Sequence, residues 1–409
     1  MALAALISAY KLADDETEGL RATLPLAGRA LLEYQARLAV YAGAEHILIL
    51  VERVPVALTM AVDRLRRDGL RVEIARDVAD AADRIHPEER LLVIGDGCIA
   101  APGQAERMAE ARSSTLLTVP DDLAHAMFER IDATARWGGL MLIDGALLRD
   151  TAAMLGDWDI ESTLLRRAVQ ADARRLDALS ISGGDGAPLL AVAASRLDGF
   201  DRTMLAAARP RGRDWVWRHV FPTIEGLVAR PLLKRGTDPV WFAVAGVTAA
   251  IVAGIFFAAG FRMTGEIALL LSGPIAALAE RLAGARLSPL RWAHAFLVAR
   301  AAAAFTALLA LVESLALEMG WGVWLIAGLI LLPMLALVGE QRILRRLPGG
   351  LAPLWIASLD GLIWAMLPFA LTGKWLAGLV ALALYAMASF AAVQREVAGR
   401  VAARASGMS

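Results

Sequence analysis

A chain of 409 residues that is 57% hydrophobic, with mean hydropathy +0.53, would crowd a water-exposed surface with apolar side chains, which argues against a purely soluble protein and for a membrane protein. The 42 basic and 42 acidic residues cancel, but residues 1–208 hold 23 bases against 32 acids and residues 209–409 hold 19 against 10, so the two parts carry −9 and +9. That split fits an acidic domain in water and a basic one against anionic lipid headgroups; nucleic acid is disfavoured because the arginines border apolar spans.

From residue 1 to about 180, short apolar runs alternate with amphipathic patterns: "LAALISAY", "GRALLEYQARLAVYAGA", "HILILVE", "VPVALTMAVDRLRRDG", "RVEIAR", "ERLLVIGDG", "PGQAERMAEAR", "STLLTVP". Continuous apolar strands separated by helices predict a largely parallel sheet covered on both faces, a three-layer α/β domain. "ARWGGLMLIDGALLRD" and "DWDIESTLLRRAVQADARR" add a strand and helices. Residues 181–214 read as a linker, with "SISGGDGAP" a turn or hairpin and "ARPRGRD" a basic stretch. "MALAALISAY" has no basic n-region, so a cleaved signal peptide is not expected, and Cys98, the single cysteine, fits a reducing compartment.

Beyond residue 214 the period changes. Residues 215–236, "WVWRHVFPTIEGLVARPLLKRG", have the mixture of tryptophan, leucine and base expected of an amphipathic helix in the membrane interface. Six apolar spans follow within residues 237–397, at about 240–261, 265–279, 292–317, 321–338, 353–372 and 375–393, and residues 398–409 form a tail. Arginines cluster after the second, fourth and sixth spans, which places both termini in the cytoplasm of a multi-pass inner-membrane protein. In this reading the soluble domain shares a side with "SGPIAALAER" (272–281), taken as the turn between spans two and three.

"LPLAGRALLEYQARLAVYAGAEHILILVE", "LLVIGDGCIAAP" and "DIESTLLRRAVQADARR" resemble segments of sugar-nucleotide and alcohol-phosphate nucleotidyltransferases. The resemblance implies that Asp96 matches a metal-binding aspartate, with Asp157 and Asp159 as weaker metal candidates whose alternative role is to cap a helix. In that family a glycine-rich loop with nearby cations wraps a triphosphate. Here the corresponding "SAYKLADDETEGLRATLPLAGR" lacks the glycine pair and is acidic, leaving Lys11 and Arg21 as the cations to hold phosphate.

The C-terminal part resembles the CDP-alcohol phosphatidyltransferase family, in which two acidic pairs hold divalent cations on a CDP pyrophosphate while one carboxylate activates the acceptor hydroxyl. In the best register Ser272 and Ile275 replace the first pair, Ala276 the motif glycine, Ala279 the alanine and Glu280 the arginine; the second pair falls near Ala293 or His294 and Leu297 or Val298. No aspartate lies between Asp238 and Asp360, and apolar side chains cannot ligate magnesium. The remaining candidates are His294 and Arg300 for catalysis, Arg281, Arg286 and Arg291 for phosphate, and Asp360, the one intramembrane aspartate, for a polar helix contact first and for metal second. Glu313 is a possible partner for Arg300, while Glu266 and Glu318 are expected to be solvated at the outer interface.

Three readings stay open. The first is a pseudoenzyme of phospholipid or headgroup metabolism, nucleotidyltransferase-like and CDP-alcohol phosphatidyltransferase-like but degenerate in both sites, that binds or scaffolds. The second is an active phosphoalcohol transferase with replaced residues, and the third a lipid transporter. The resemblance implies a homodimer, with membrane lipids and a nucleotide or CDP-alcohol as partners, no nucleic acid, and Mg2+ only where a metal site survives.

Overall fold

The computed structural model describes residues 2–14, 19–156, 158–181, 186–208, 214–288, 290, 292–346 and 355–406. It divides into two units: Met1–Ala207 with Leu233–Gly236 and Ala285–Ser288, and Ala208–Leu232 with Thr237–Gly284 and Pro289–Ser409.

In the first unit seven strands form one sheet: β1 (Leu3–Ser8), β2 (His46–Leu50), β3 (Val72–Ala75), β4 (Arg90–Ile94), β5 (Thr115–Pro120), β6 (Ala135–Asp144) and β7 (Arg174–Asp177). Their order is β7-β5-β6-β4-β1-β2-β3, and all pairings are parallel except those that β6 makes with β4 and β5. Strand side chains alternate between faces. Ala4, Leu6, Leu91 and Val93 pack with Ala81, Leu148 and Leu164 on one side. The intervening Ala5, Ile7, Leu92 and Ile94 are buried as well, and helices Leu31–Tyr41 and Pro102–Glu110 pack against the sheet too. The apolar runs thus give an α/β sheet unit with covered strands, as their composition requires.

This unit runs past residue 180. Leu189–Leu190 pairs antiparallel with Cys98–Ile99, Ala191 donates its N–H to the Gly97 carbonyl, and helix Phe200–Ala207 follows, so most of the expected linker is folded structure. Residues 182–185, in the expected hairpin, and 209–213, in the basic stretch, lie outside the described residues.

The second unit is helical. Val216–Val220 forms a wide π turn that leads into helix Phe221–Lys234, which buries Phe221, Glu225, Ala229 and Leu233 while Leu227 on the opposite side is exposed. Among the described residues, five helices are long and apolar enough to cross a membrane: Pro239–Ala258, Arg262–Ala285, Ala293–Met319, Gly322–Ile343 and Trp375–Ala402. Ala250, Ala253, Ala303 and Ala307 are buried in the core, and helix Pro239–Ala258 packs extensively on Ala293–Met319, because small side chains let helix backbones approach closely.

Three expectations change. The fifth expected span is the 13-residue helix Leu359–Leu371, about 20 Å long and short of a ~30 Å hydrocarbon core; residues 347–354 before it are outside the described set. The short second span is instead a helix of 24 residues, so "SGPIAALAER" lies inside it and the turn falls after Ala285. Alanine, leucine, glutamate and arginine are strong helix formers, and their run carries the helix past the polar residues. For the same reason the expected tail is helical up to Ser406.

Candidate functional site

In the first unit β1 lies between β2 and β4, so the chain leaves β1 toward one neighbour and later returns along the other. The carboxyl ends of β1 and β4 flank the crevice where open α/β sheets place ligands. What fills it is the protein's own chemistry. Asp96, just beyond β4, is 2% exposed, and its Oδ2 accepts the backbone N–H groups of Tyr10 at 2.8 Å and Lys11 at 2.6 Å, just beyond β1. The Asp96 N–H in turn donates to Glu161 Oε1 at 2.7 Å, and Glu161 Oε2 is ion-paired with Lys11 Nζ. Asp159 caps helix Ile160–Gln170 by accepting the Ser162 N–H at 2.8 Å, takes the Tyr10 hydroxyl at 3.0 Å and lies 3.8 Å from Lys11 Nζ.

The loop around Asp96 is held from behind. Gln35 donates to the Gly95 and Cys98 carbonyls, at 3.1 and 2.9 Å. Gly97 has φ +77°, and a Cβ there would lie 2.6 Å from the Ala191 carbonyl oxygen, so this position requires glycine.

The electrostatics follow from burial and from the surplus of acids. Burial first, and then the Glu161 charge, push Asp96 up to about 7, against the two amide hydrogen bonds that favour its carboxylate. Burial opposes the charge on Lys11, but Glu161, Asp159 and Asp96 outweigh it and raise the ammonium above its usual value. Burial likewise opposes ionisation of Asp159, yet its capping bond and Lys11 bring it below the ordinary carboxylate range.

The structure therefore gathers three of the expected residues, Lys11, Asp96 and Asp159, and adds Tyr10 and Glu161. Glu161 was legible only as the second acid of the "DIES" helix start, which also suits a helix N-terminus. Arg21 does not join them: its Nε donates to the Leu12 carbonyl at 3.1 Å and its Nη2 lies 3.5 Å from Asp14. Asp157 is outside the described residues, and no group of three or more potential metal ligands of the His, Cys, Asp or Glu type occurs among the described ones. The neighbouring segment is occupied in the same manner: Glu33, 1% exposed, is held by Arg29 at 3.1 Å and by Arg64 at 2.6 Å.

In the second unit a cleft is lined by Ala243, Ala276, Ala279, Glu280, Phe296 and Arg300, with Ala293 and Leu297 beside them; Ala276, Ala279, Glu280, Ala293 and Leu297 are positions matched to the transferase motif, whereas Ser272, Ile275 and Val298 are not on the lining. Those residues do not fit a divalent cation, which needs several oxygen ligands. Arg300 pairs with Asp360, not with Glu313: Nη2 lies 2.6 Å from Asp360 Oδ1, and Asp360 Oδ2 accepts the Trp217 indole N–H at 2.9 Å. Gly273 makes room for the pair, since a Cβ there would lie 2.7 Å from Asp360 Oδ1. Asp360 is thus a salt-bridge partner with both oxygens engaged, the polar helix contact that the sequence offered beside a metal-binding role.

His294 is exposed and does not line the cleft. Arg281 is buried against Glu225, and Arg286 donates to the carbonyls of Ala27 at 3.1 Å and Leu233 at 2.9 Å. Arg291 lies outside the described residues. Glu318 pairs with Arg262 at 2.6 Å, whereas Glu266, expected to be solvated, is 2% exposed with no partner for Oε1 among the described residues.

No protein-family model matches the sequence, and no curated protein matches it. Among solved structures, UDP-glucose pyrophosphorylase complexed with UDP-glucose is similar at 12% identity and TM-score 0.36, covering 49% of this chain and 99% of its own. A nucleotidyl transferase from Methanothermobacter is similar at 18% identity and TM-score 0.32, covering 43% of this chain and 87% of its own.

Two outcomes are expected. An aspartate that titrates at 3.8 when unfolded and at about 7 when folded stabilises the fold fully below the lower value, and loses that contribution as pH rises through the upper one. Asp96→Asn will therefore flatten the decline in thermal midpoint across that pH window, measured by circular dichroism; an unchanged slope would assign the titration elsewhere. In the helical unit, Asp360→Ala will cost about 3–5 kcal/mol in SDS-titrated unfolding by stranding the Arg300 guanidinium, whereas Arg300→Met with Asp360→Leu will recover most of it.

Proposed function

We propose that the chain is a multi-pass membrane protein of polar-lipid or lipid-headgroup metabolism that binds or scaffolds instead of catalysing the nucleotide chemistry its sequence resembles. In this reading the first unit is nucleotidyltransferase-like, the second is CDP-alcohol phosphatidyltransferase-like, and both sites are degenerate. The protein sits in the inner membrane as a homodimer with cytoplasmic termini.

The observation that carries the proposal is the hydrogen bonding of Asp96. Backbone N–H groups that leave the first strand of such a sheet are natural donors to phosphate oxygens. Here the carboxylate of Asp96 takes those of Tyr10 and Lys11. Lys11, the nearest cation, is paired with Glu161. A triphosphate would have to displace one carboxylate and break an ion pair inside a cluster where acids outnumber bases. The helical unit supports the same reading, because Ile275 and Leu297 stand at or beside positions that the resemblance gives to metal-binding aspartates, and Leu297 lines the cleft.

Calorimetric titration of the full-length protein in detergent with CDP and magnesium tests the proposal, since CDP is common to every donor of the membrane family. The expected result is no saturable, magnesium-dependent heat. Binding that is saturable and abolished by EDTA would restore the enzyme reading.

A further inference from the structure

The Arg300 guanidinium holds more donors than its surroundings use. The side chain is 4% exposed; Nη2 is engaged by Asp360, while Nε and Nη1 are buried with no hydrogen-bond partner among the described residues. Asp360 makes no bond to them: its Oδ1 meets Nη2, and its Oδ2 accepts the Trp217 N–H. An unmatched buried N–H is destabilising, and such groups in native proteins call for a specific explanation.

The cleft supplies one. Arg300 lines it together with the small or apolar side chains of Ala243, Ala276, Ala279 and Phe296, none of which offers an acceptor. The other charged residue on the lining is Glu280, whose carboxylate disfavours a ligand with a second anionic group in the same space. A planar, weakly hydrated guanidinium suits phosphate oxygens, and an alanine-rich wall suits an apolar body.

We propose that this cleft binds one phosphate ester group of an amphiphile without a metal ion. Arg300 is the anion anchor, and Asp360 and Trp217 are the residues that position it. The inference rests on the reading of the helical unit as a lipid or headgroup-binding bundle and names the ligand chemistry. It differs from nucleoside diphosphate recognition in needing neither a second phosphate nor magnesium.

The test uses full-length protein in detergent with EDTA throughout, titrated calorimetrically with dihexanoyl phosphatidylglycerol, inorganic phosphate and CDP. Saturable binding of the lipid is expected. Arg300→Lys keeps a cation for Asp360 but loses the planar donors, and will weaken binding roughly tenfold or more. Leu297→Trp fills the cleft from a lining residue that is 43% exposed and leaves the ion pair intact, so it will weaken binding comparably and decides alone where Arg300→Lys does not fold. With both effects present, competition by inorganic phosphate means that the headgroup suffices, and lipid binding without competition means that the apolar body is required; either supports the site. The site is overturned by no lipid binding to the wild type, by equal binding in a folded variant, or by tighter binding of CDP than of lipid. Magnesium-dependent CDP binding is a separate result, which overturns the degenerate reading whatever the lipid does in EDTA.

Discussion

A charge removed from water must find its partner inside the fold, and the arrangement of both units depends on how that requirement is met. In the sheet unit the buried carboxylate of Asp96 is satisfied by the N–H groups of Tyr10 and Lys11, which ties the exits of the two central strands together. Glu161 then engages the Asp96 N–H and the Lys11 ammonium, and Asp159 and Tyr10 complete the cluster. In the helical unit Arg300 and Asp360 pair with help from Trp217, and Arg281 pairs with Glu225. In each of these contacts, groups that could have met a phosphate or a metal meet each other instead.

The distinction matters for function because type and partnership of residues carry different information. Asp96 is the residue type a metal site needs, yet its partners give it the work of closing a loop. Arg300 is the converse: its partner is structural, but two of its donors have none. A closely paired polar cluster and an arginine with donors to spare therefore coexist in one chain.

Much of the architecture was legible in the sequence. Runs such as "HILIL" and "RLLVI" read as buried strands and are, and five of the six apolar stretches lie in long helices. Boundaries were less legible where local preference and burial disagree. "SGPIAALAER" reads as polar, but its helix formers continue the helix and Arg281 is neutralised by Glu225, 56 residues earlier in the chain. Burial of Glu266 and the pairing of Arg300 with Asp360 instead of Glu313 depend on which helices are neighbours, which no local pattern encodes. The same holds for Glu161: its meeting with Lys11 joins residues 150 positions apart.

The central claim is that neither unit keeps a nucleotide-dependent divalent cation site. Electron paramagnetic resonance of Mn2+ with the full-length protein in detergent, in the presence of CDP and of CTP, measures this directly. The account predicts a free Mn2+ signal equal to that of the same nucleotide without protein. A stoichiometric, saturable loss of that signal on adding protein would contradict it and show that carboxylates in one unit release their internal partners to hold a metal.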